Sequence, residues 1–179
     1  MLSITIPDSE FFNEKTQEFQ KNKGMSLQLE HSLISLAKWE SKWKKPFLSS
    51  QKSNEESIDY IRCMTININV PDYIYYAIPP DEVTRISKYI EDEMTATTFS
   101  KDTRQKHSKE VITSELIYFW MVTFNIPFEC RKWHLNQLLT LIRVCSIKNS
   151  PAKKMSKRDI LSQNSSLNAA RRARMHSKG

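Results

Sequence analysis

Cys130 and His134 stand four residues apart in FECRKWHLNQLL, a spacing that puts two side chains on one face of a helix. A thiolate and an imidazole so placed can share a metal ion or act as a Cys–His nucleophile. Two ligands do not complete a site, and the flanking sequence supplies no third or fourth. A buried thiol beside a hydrogen-bonded imidazole accounts for the pair without chemistry. The other histidines are His31, His107 and His176. His31 follows Glu30 where a helix is predicted to begin, a position suited to capping or to the surface. Glu91, Asp92 and Glu93 are consecutive, and adjacent residues on a helix do not converge on one substrate atom, so they read as a solvated charge run. Serine, histidine and aspartate are scattered without the sharp turn that presents a nucleophile. Glycine occurs only at Gly24 and Gly179, whereas loops that wrap phosphates need several glycines for close backbone approach and positive φ. No P-loop or dinucleotide-binding turn can be drawn. The expectation is a protein without catalytic residues, metal or cofactor.

Few glycines also mean few tight hairpins, so the elements that carry these residues should be mostly helices. Leu2, Ile4 and Ile6 alternate with polar residues up to Pro7, and Met25, Leu27 and Leu29 alternate again after Gly24, which predicts a short N-terminal strand pair. From Glu30 the period lengthens: Leu33, Leu36, Trp39 and Trp43 share a helical face that ends before Pro46. Trp39 and Trp43 suit core anchors first and partner contacts second. After a polar stretch at 49–54, Ser53 and Glu56 have capping-box spacing for a second helix with Ile58, Ile61 and Met64 along it. Residues 70–80 read as a turn or short helix carrying Tyr73, Tyr75 and Tyr76, and Pro80 can open a further helix with Val83, Ile86, Tyr89 and Ile90. A polar loop is expected over 95–109. Two apolar helices, about 113–124 and 129–147, meet at Asn125-Ile126-Pro127 as an αα-hairpin, with Trp120 and Leu138 inside it at the centre of the core.

The fold class predicted is mainly α: a helical domain over 1–150 with short N-terminal strands, then a basic arm over 151–179. Ser156 and Asp159 suit the start of a last helix whose apolar face (Ile160, Leu161, Leu167) is thin, so the arm is expected to be helical or partly disordered until bound. Lys148–Gly179 holds nine basic residues and one acid, a charge of +8, and the remaining 18 basic and 19 acidic residues give −1. The body is therefore neutral and all of the net +7 resides in the arm. Cys63, Cys130 and Cys145 are odd in number and lack metal-ligand spacing, which reads as reduced thiols in a reducing compartment. The N-terminus lacks the pattern of a signal peptide. The longest apolar run, 116–122, is far short of the roughly 20 residues that cross a bilayer. A cytoplasmic protein without membrane contact is expected.

Three extended segments carry a family resemblance: ITIPDSEFFNEKTQEF running into LQLEHSLISLAKWESKWKKPFL, then ITSELIYFWMVTFNIPFECRKWHLNQLLTLIRVCSIKN, and KKMSKRDILSQNSSLNAARRARMHSKG. Together they resemble the tail assembly chaperones of long-tailed bacteriophages and prophages. The resemblance implies a protein that binds the long tape measure protein, keeps its apolar segments soluble and helps recruit tail tube subunits. It implies a place in the host cytoplasm and absence from the finished virion. Many such proteins also occur in a longer frameshifted form, and the family has no catalytic motif to transfer. Methionine, tryptophan and tyrosine supply adaptable contact area for such a client. Trp39, Trp43, Tyr73 and Tyr76 are the candidate partner contacts on the body, and Arg171, Arg172 and Arg174 those on the arm. Self-association stays open. Two other readings stand beside this one: a virion tail completion or connector protein, and a nucleic-acid-binding protein whose arm, extended by Lys153, Lys154, Lys157 and Arg158, neutralises phosphates.

Overall fold

The computed structural model describes residues 1–13, 18–99, 110–150 and 157–175, and the protein is mainly helical with antiparallel strands at its N-terminus. Alternation in the first segment does what period-2 patterning requires. Strand β1 (Leu2–Ile6) pairs antiparallel with a strand at Met25–Leu29, Ile4 opposite Leu27. Ile4, Ile6, Leu27 and Leu29 face inward and are buried, while Ser3, Thr5, Ser26 and Gln28 are exposed. Between them lie β2 (Ser9–Asn13) and β3 (Glu18–Asn22), paired in the same register, so β1–β2 and β3–β4 (Met25–Leu29) form one ribbon interrupted at Pro7 and Gly24. The alternating apolar residues predicted its inner half alone. Gly24 is required there by close approach: a Cβ would overlap the Ile6 carbonyl and the backbone of Pro7 and Asp8. Its N–H donates to Asp8 Oδ1 at 2.7 Å.

Helix α1 (Leu33–Trp43) is capped by Ser32 and ends at Lys44, whose φ of 54° turns the chain ahead of Pro46. Leu33, Leu36 and Trp39 form its buried stripe. Helix α2 (Asn54–Met64) opens with the capping box expected of Ser53 and Glu56. Ile61 and Met64 are buried as expected, and Tyr60 takes the inward place beside them. A single turn, α3 (Tyr73–Tyr76), leads to α4 (Pro80–Glu91), which has Pro80 in its first turn and packs on β1. Then follow α5 (Ser114–Thr123), a 3-10 helix at Phe128–Lys132, and α6 (Leu135–Asn149).

The core is centred on α1, which packs against α2, α5 and the 3-10 helix. One carboxylate ties these together. Glu40, buried on α1, accepts the Phe47 N–H through Oε1 (2.8 Å) and the Ser114 N–H through Oε2 (2.7 Å). It thus fixes the loop after α1 and places negative charge at the amino end of α5.

The αα-hairpin expected around Asn125-Ile126-Pro127 is corrected. Pro127 opens a 3-10 turn, Trp133 is extended, and α6 starts only at Leu135. The Leu135 N–H donates to the His31 carbonyl (2.8 Å), and Ser32 and His134 form an antiparallel bridge. These bonds anchor the start of α6 beside the amino end of α1, so α6 does not fold back tightly on α5. Leu138 is fully buried as expected, whereas Trp120 is only half-buried. Cys130 and His134 consequently do not share a helix, which removes the i, i+4 arrangement.

Met1–Ile147 forms one compact unit and Lys148–Gly179 a second. Within the second, α7 (Lys157–Met175) is a 19-residue helix. Ile160, Leu161 and Leu167 on it are exposed, in keeping with an apolar face too thin to bury.

Candidate binding groove

Helix α5 reads SELIYFWMVT, with seven apolar or aromatic residues in succession. A helix packed on one neighbour buries one stripe, so apolar residues on every side leave some without cover. Ile117 and Met121, one turn apart, are fully enclosed. Phe119 and Val122 remain 62% and 60% exposed, and Phe128, beside Tyr118, is also exposed. Trp120 and Phe124, again one turn apart, point into a cleft toward α6. On α6, Leu135, Leu138 and Ile142 make the buried stripe, and Leu139, Arg143 and Ser146 lie one step round the helix. Ile112 helps to close the cleft, which holds about 380 Å³. Its walls are apolar, and Arg143 is the single charged residue among the described residues lining it. The Arg143 guanidinium lies 4.0 Å from the centre of the Phe99 ring. Beyond Leu139 and Arg143 a second cavity of about 480 Å³ opens, with a more polar lining that includes Glu93, Thr97, Asn136 and Thr140. Exposed apolar surface of this kind, rimmed by polar residues, marks places where another molecule binds.

A second cluster is entirely internal. His31 Nδ1 and the Tyr60 hydroxyl lie 2.6 Å apart, the His31 and His134 ring centres are separated by 4.9 Å, and His134 Nε2 donates to the Tyr89 carbonyl at 2.9 Å. With Nε2 as the donor, His134 Nδ1 is left buried without a hydrogen-bond partner. Burial, reinforced by His134, lowers the His31 pKa to about 3, and burial likewise lowers that of His134. Burial also raises the Tyr60 hydroxyl well above its ordinary value. These are packed, neutral rings joining α2, α4 and the start of α6 to the residue before Ser32. Among the described residues, no three of histidine, cysteine, aspartate and glutamate are grouped to hold a metal.

This cluster makes stability depend on pH with a definite sign. The folded pKa of His31 lies below that of an unfolded histidine, about 6.5, so the unfolded chain binds the extra proton as pH falls. The contribution is complete above about pH 7 and is lost progressively below the unfolded pKa. Between pH 7.5 and pH 5 the loss from His31 alone should be about 2 kcal/mol. Urea midpoints at the two pH values should show it, and His31→Phe should flatten the difference. An equal drop in both proteins excludes His31 as its source.

The seam between α1 and α2 is ionic. Burial opposes ionisation of Asp59, yet bonds from Lys42, Trp43 Nε1 (2.9 Å) and Arg62 (2.9 Å) hold its carboxyl below the usual range. Trp39 Nε1 donates to the Glu56 carbonyl at 2.8 Å. Trp39 is fully enclosed, so it serves as a core anchor and offers nothing to a partner. Trp43 is half-buried at the edge of the same seam, with its ring 6.4 Å from that of Trp39. Tyr73 and Tyr76 are exposed on α3, and Arg171, Arg172 and Arg174 are exposed on α7. Within the body, Trp43 and Tyr76 are linked through the ion pair of Asp59 and Arg62, whereas Trp39 is enclosed. Lys153, Lys154, Ser156 and the 100–109 part of the polar loop lie outside the described residues. Of the cleft residues, the hairpin expectation takes Trp120 and Leu139 as core and gives Phe124 and Arg143 no role. The available signal was α5 itself, apolar on more faces than a core needs.

No family model, curated protein or solved structure matches the chain.

Proposed function

We propose that this protein is a non-enzymatic tail assembly chaperone of a long-tailed phage or prophage. It binds the tape measure protein in the host cytoplasm, keeps apolar segments of that client soluble, assists recruitment of tail tube subunits and does not remain in the virion. The observation that carries the reading is the open apolar cleft between α5 and α6, with Phe119 and Val122 exposed elsewhere on α5. A long helical client offers apolar stripes that such a cleft can cover, and the resemblance over three segments names the client. Co-expression with the tape measure protein from the same genome should yield a soluble complex that purifies through a tag on either partner. Mass spectrometry of finished particles should find the tape measure protein and not this chain. Recovery of this chain in stoichiometric amount from particles supports a tail completion or connector protein instead. The exposed basic helix α7 favours one further reading, phosphate binding by the arm, which the truncation described below separates from chaperoning.

A further inference from the structure

We propose that the α5–α6 cleft takes one amphipathic helix whose apolar side chains lie between Trp120, Phe124 and Leu139 and which carries a carboxylate for Arg143. The inference takes its client from the chaperone reading and specifies what part of that client is held. Trp120 on α5 and Phe124 at its C-cap line one wall, and Leu139, Arg143 and Ser146, spaced by about a turn on α6, line the other, so apolar side chains spaced by a helical turn can meet both. A cavity of about 380 Å³ receives a few side chains, while a helix roughly 10 Å across must keep its backbone above the rim. This is the helix-in-groove mode, with anchors at i, i+3 or i+4, and i+7. An added strand does not suit the site, because none of its lining residues belongs to a strand edge. A nucleic-acid backbone does not suit it either, since a single cation cannot neutralise a run of phosphates.

Arg143 gives the site its polarity. Its guanidinium is stacked on Phe99, and it forms no salt bridge with a described residue. A stacked planar fork keeps its donors directed and matches a carboxylate in two parallel bonds, which a lysine ammonium does not reproduce. One acidic residue beside the apolar anchors therefore sets both the register and the direction of the bound helix.

The test uses the full chain and two synthetic 20-residue helical peptides with the same leucine stripe, one with glutamate and one with lysine beside it. By titration calorimetry the wild type should bind the glutamate peptide at least about tenfold tighter than the lysine peptide, or 1.4 kcal/mol. Arg143→Glu should reverse that preference, and Arg143→Lys should restore it only in part. Leu139→Glu should weaken both peptides more than about tenfold in a chain whose circular dichroism shows it still folded, because its side chain borders the cleft. Equal binding of the two peptides by wild type and Arg143→Glu overturns the carboxylate, and indifference to Leu139→Glu overturns the cleft. If the tape measure protein fails to co-purify while the peptides obey the charge reversal, the chaperone reading falls and the cleft stands. If the tape measure protein binds Leu139→Glu and Arg143→Glu as well as it binds wild type, the cleft falls and the chaperone reading stands.

Discussion

Trp39→Ala should lower the stability of the body by about 3–5 kcal/mol, the range for deleting a large enclosed aromatic ring. Trp39 is fully buried between α1 and α2, meets Phe47 edge-on with ring centres 5.1 Å apart, and bonds the Glu56 carbonyl. The substitution empties the centre of the core and leaves that carbonyl without its indole donor. Trp120→Ala should cost clearly less, since much of that ring borders the open cleft rather than packed side chains. Urea unfolding followed by circular dichroism compares the two on one scale. A Trp120→Ala loss equal to or larger than that of Trp39→Ala means that Trp120 is core and the cleft is closed.

These two tryptophans show where sequence patterns suffice. Trp39 sits in a clean helical stripe with Leu33 and Leu36, and burial follows from period alone. Ser53 with Glu56, Pro80 at a first turn, and the alternation of Ile4, Ile6, Leu27 and Leu29 were legible for the same reason: each is a local rule satisfied by neighbours in the chain. Residues 129–147 were misread as one helix because nothing local forbids it. The break at Trp133 and His134 depends on bonds to His31 and Ser32, about a hundred residues away in sequence. The cleft was invisible for a related reason, since an apolar stripe has the same composition whether another part of the chain covers it or a partner does. The buried His31–His134 contact joins two residues that periodicity treats independently.

Deleting residues 153–179 should leave the body folded, because α1 to α6 and the contacts around α1 lie before that point. The deletion removes Lys153, Lys154, Lys157, Arg158, Arg171, Arg172, Arg174 and Lys178 against the single acid Asp159. Tape measure binding through the cleft should survive within about tenfold, or 1.4 kcal/mol, of the full chain. Any affinity for duplex or single-stranded DNA should instead fall by more than about 100-fold at low salt, since phosphate neutralisation supplies essentially all non-specific binding. Titrating both proteins with a tape measure fragment and with DNA, at low and moderate salt, separates the two roles. Tight, salt-sensitive DNA binding by the full chain, abolished in the truncation and unaccompanied by tape measure binding, contradicts chaperoning.

Hydrogen–deuterium exchange of the full chain with and without a soluble tape measure fragment tests the central claim most directly. A client helix seated in the cleft covers both of its walls, so amides in α5 and α6 should gain protection together while those of α7 exchange at an unchanged rate. Protection confined to α7, to the β-ribbon or to α3 contradicts the account, as does a complex in which neither α5 nor α6 is protected.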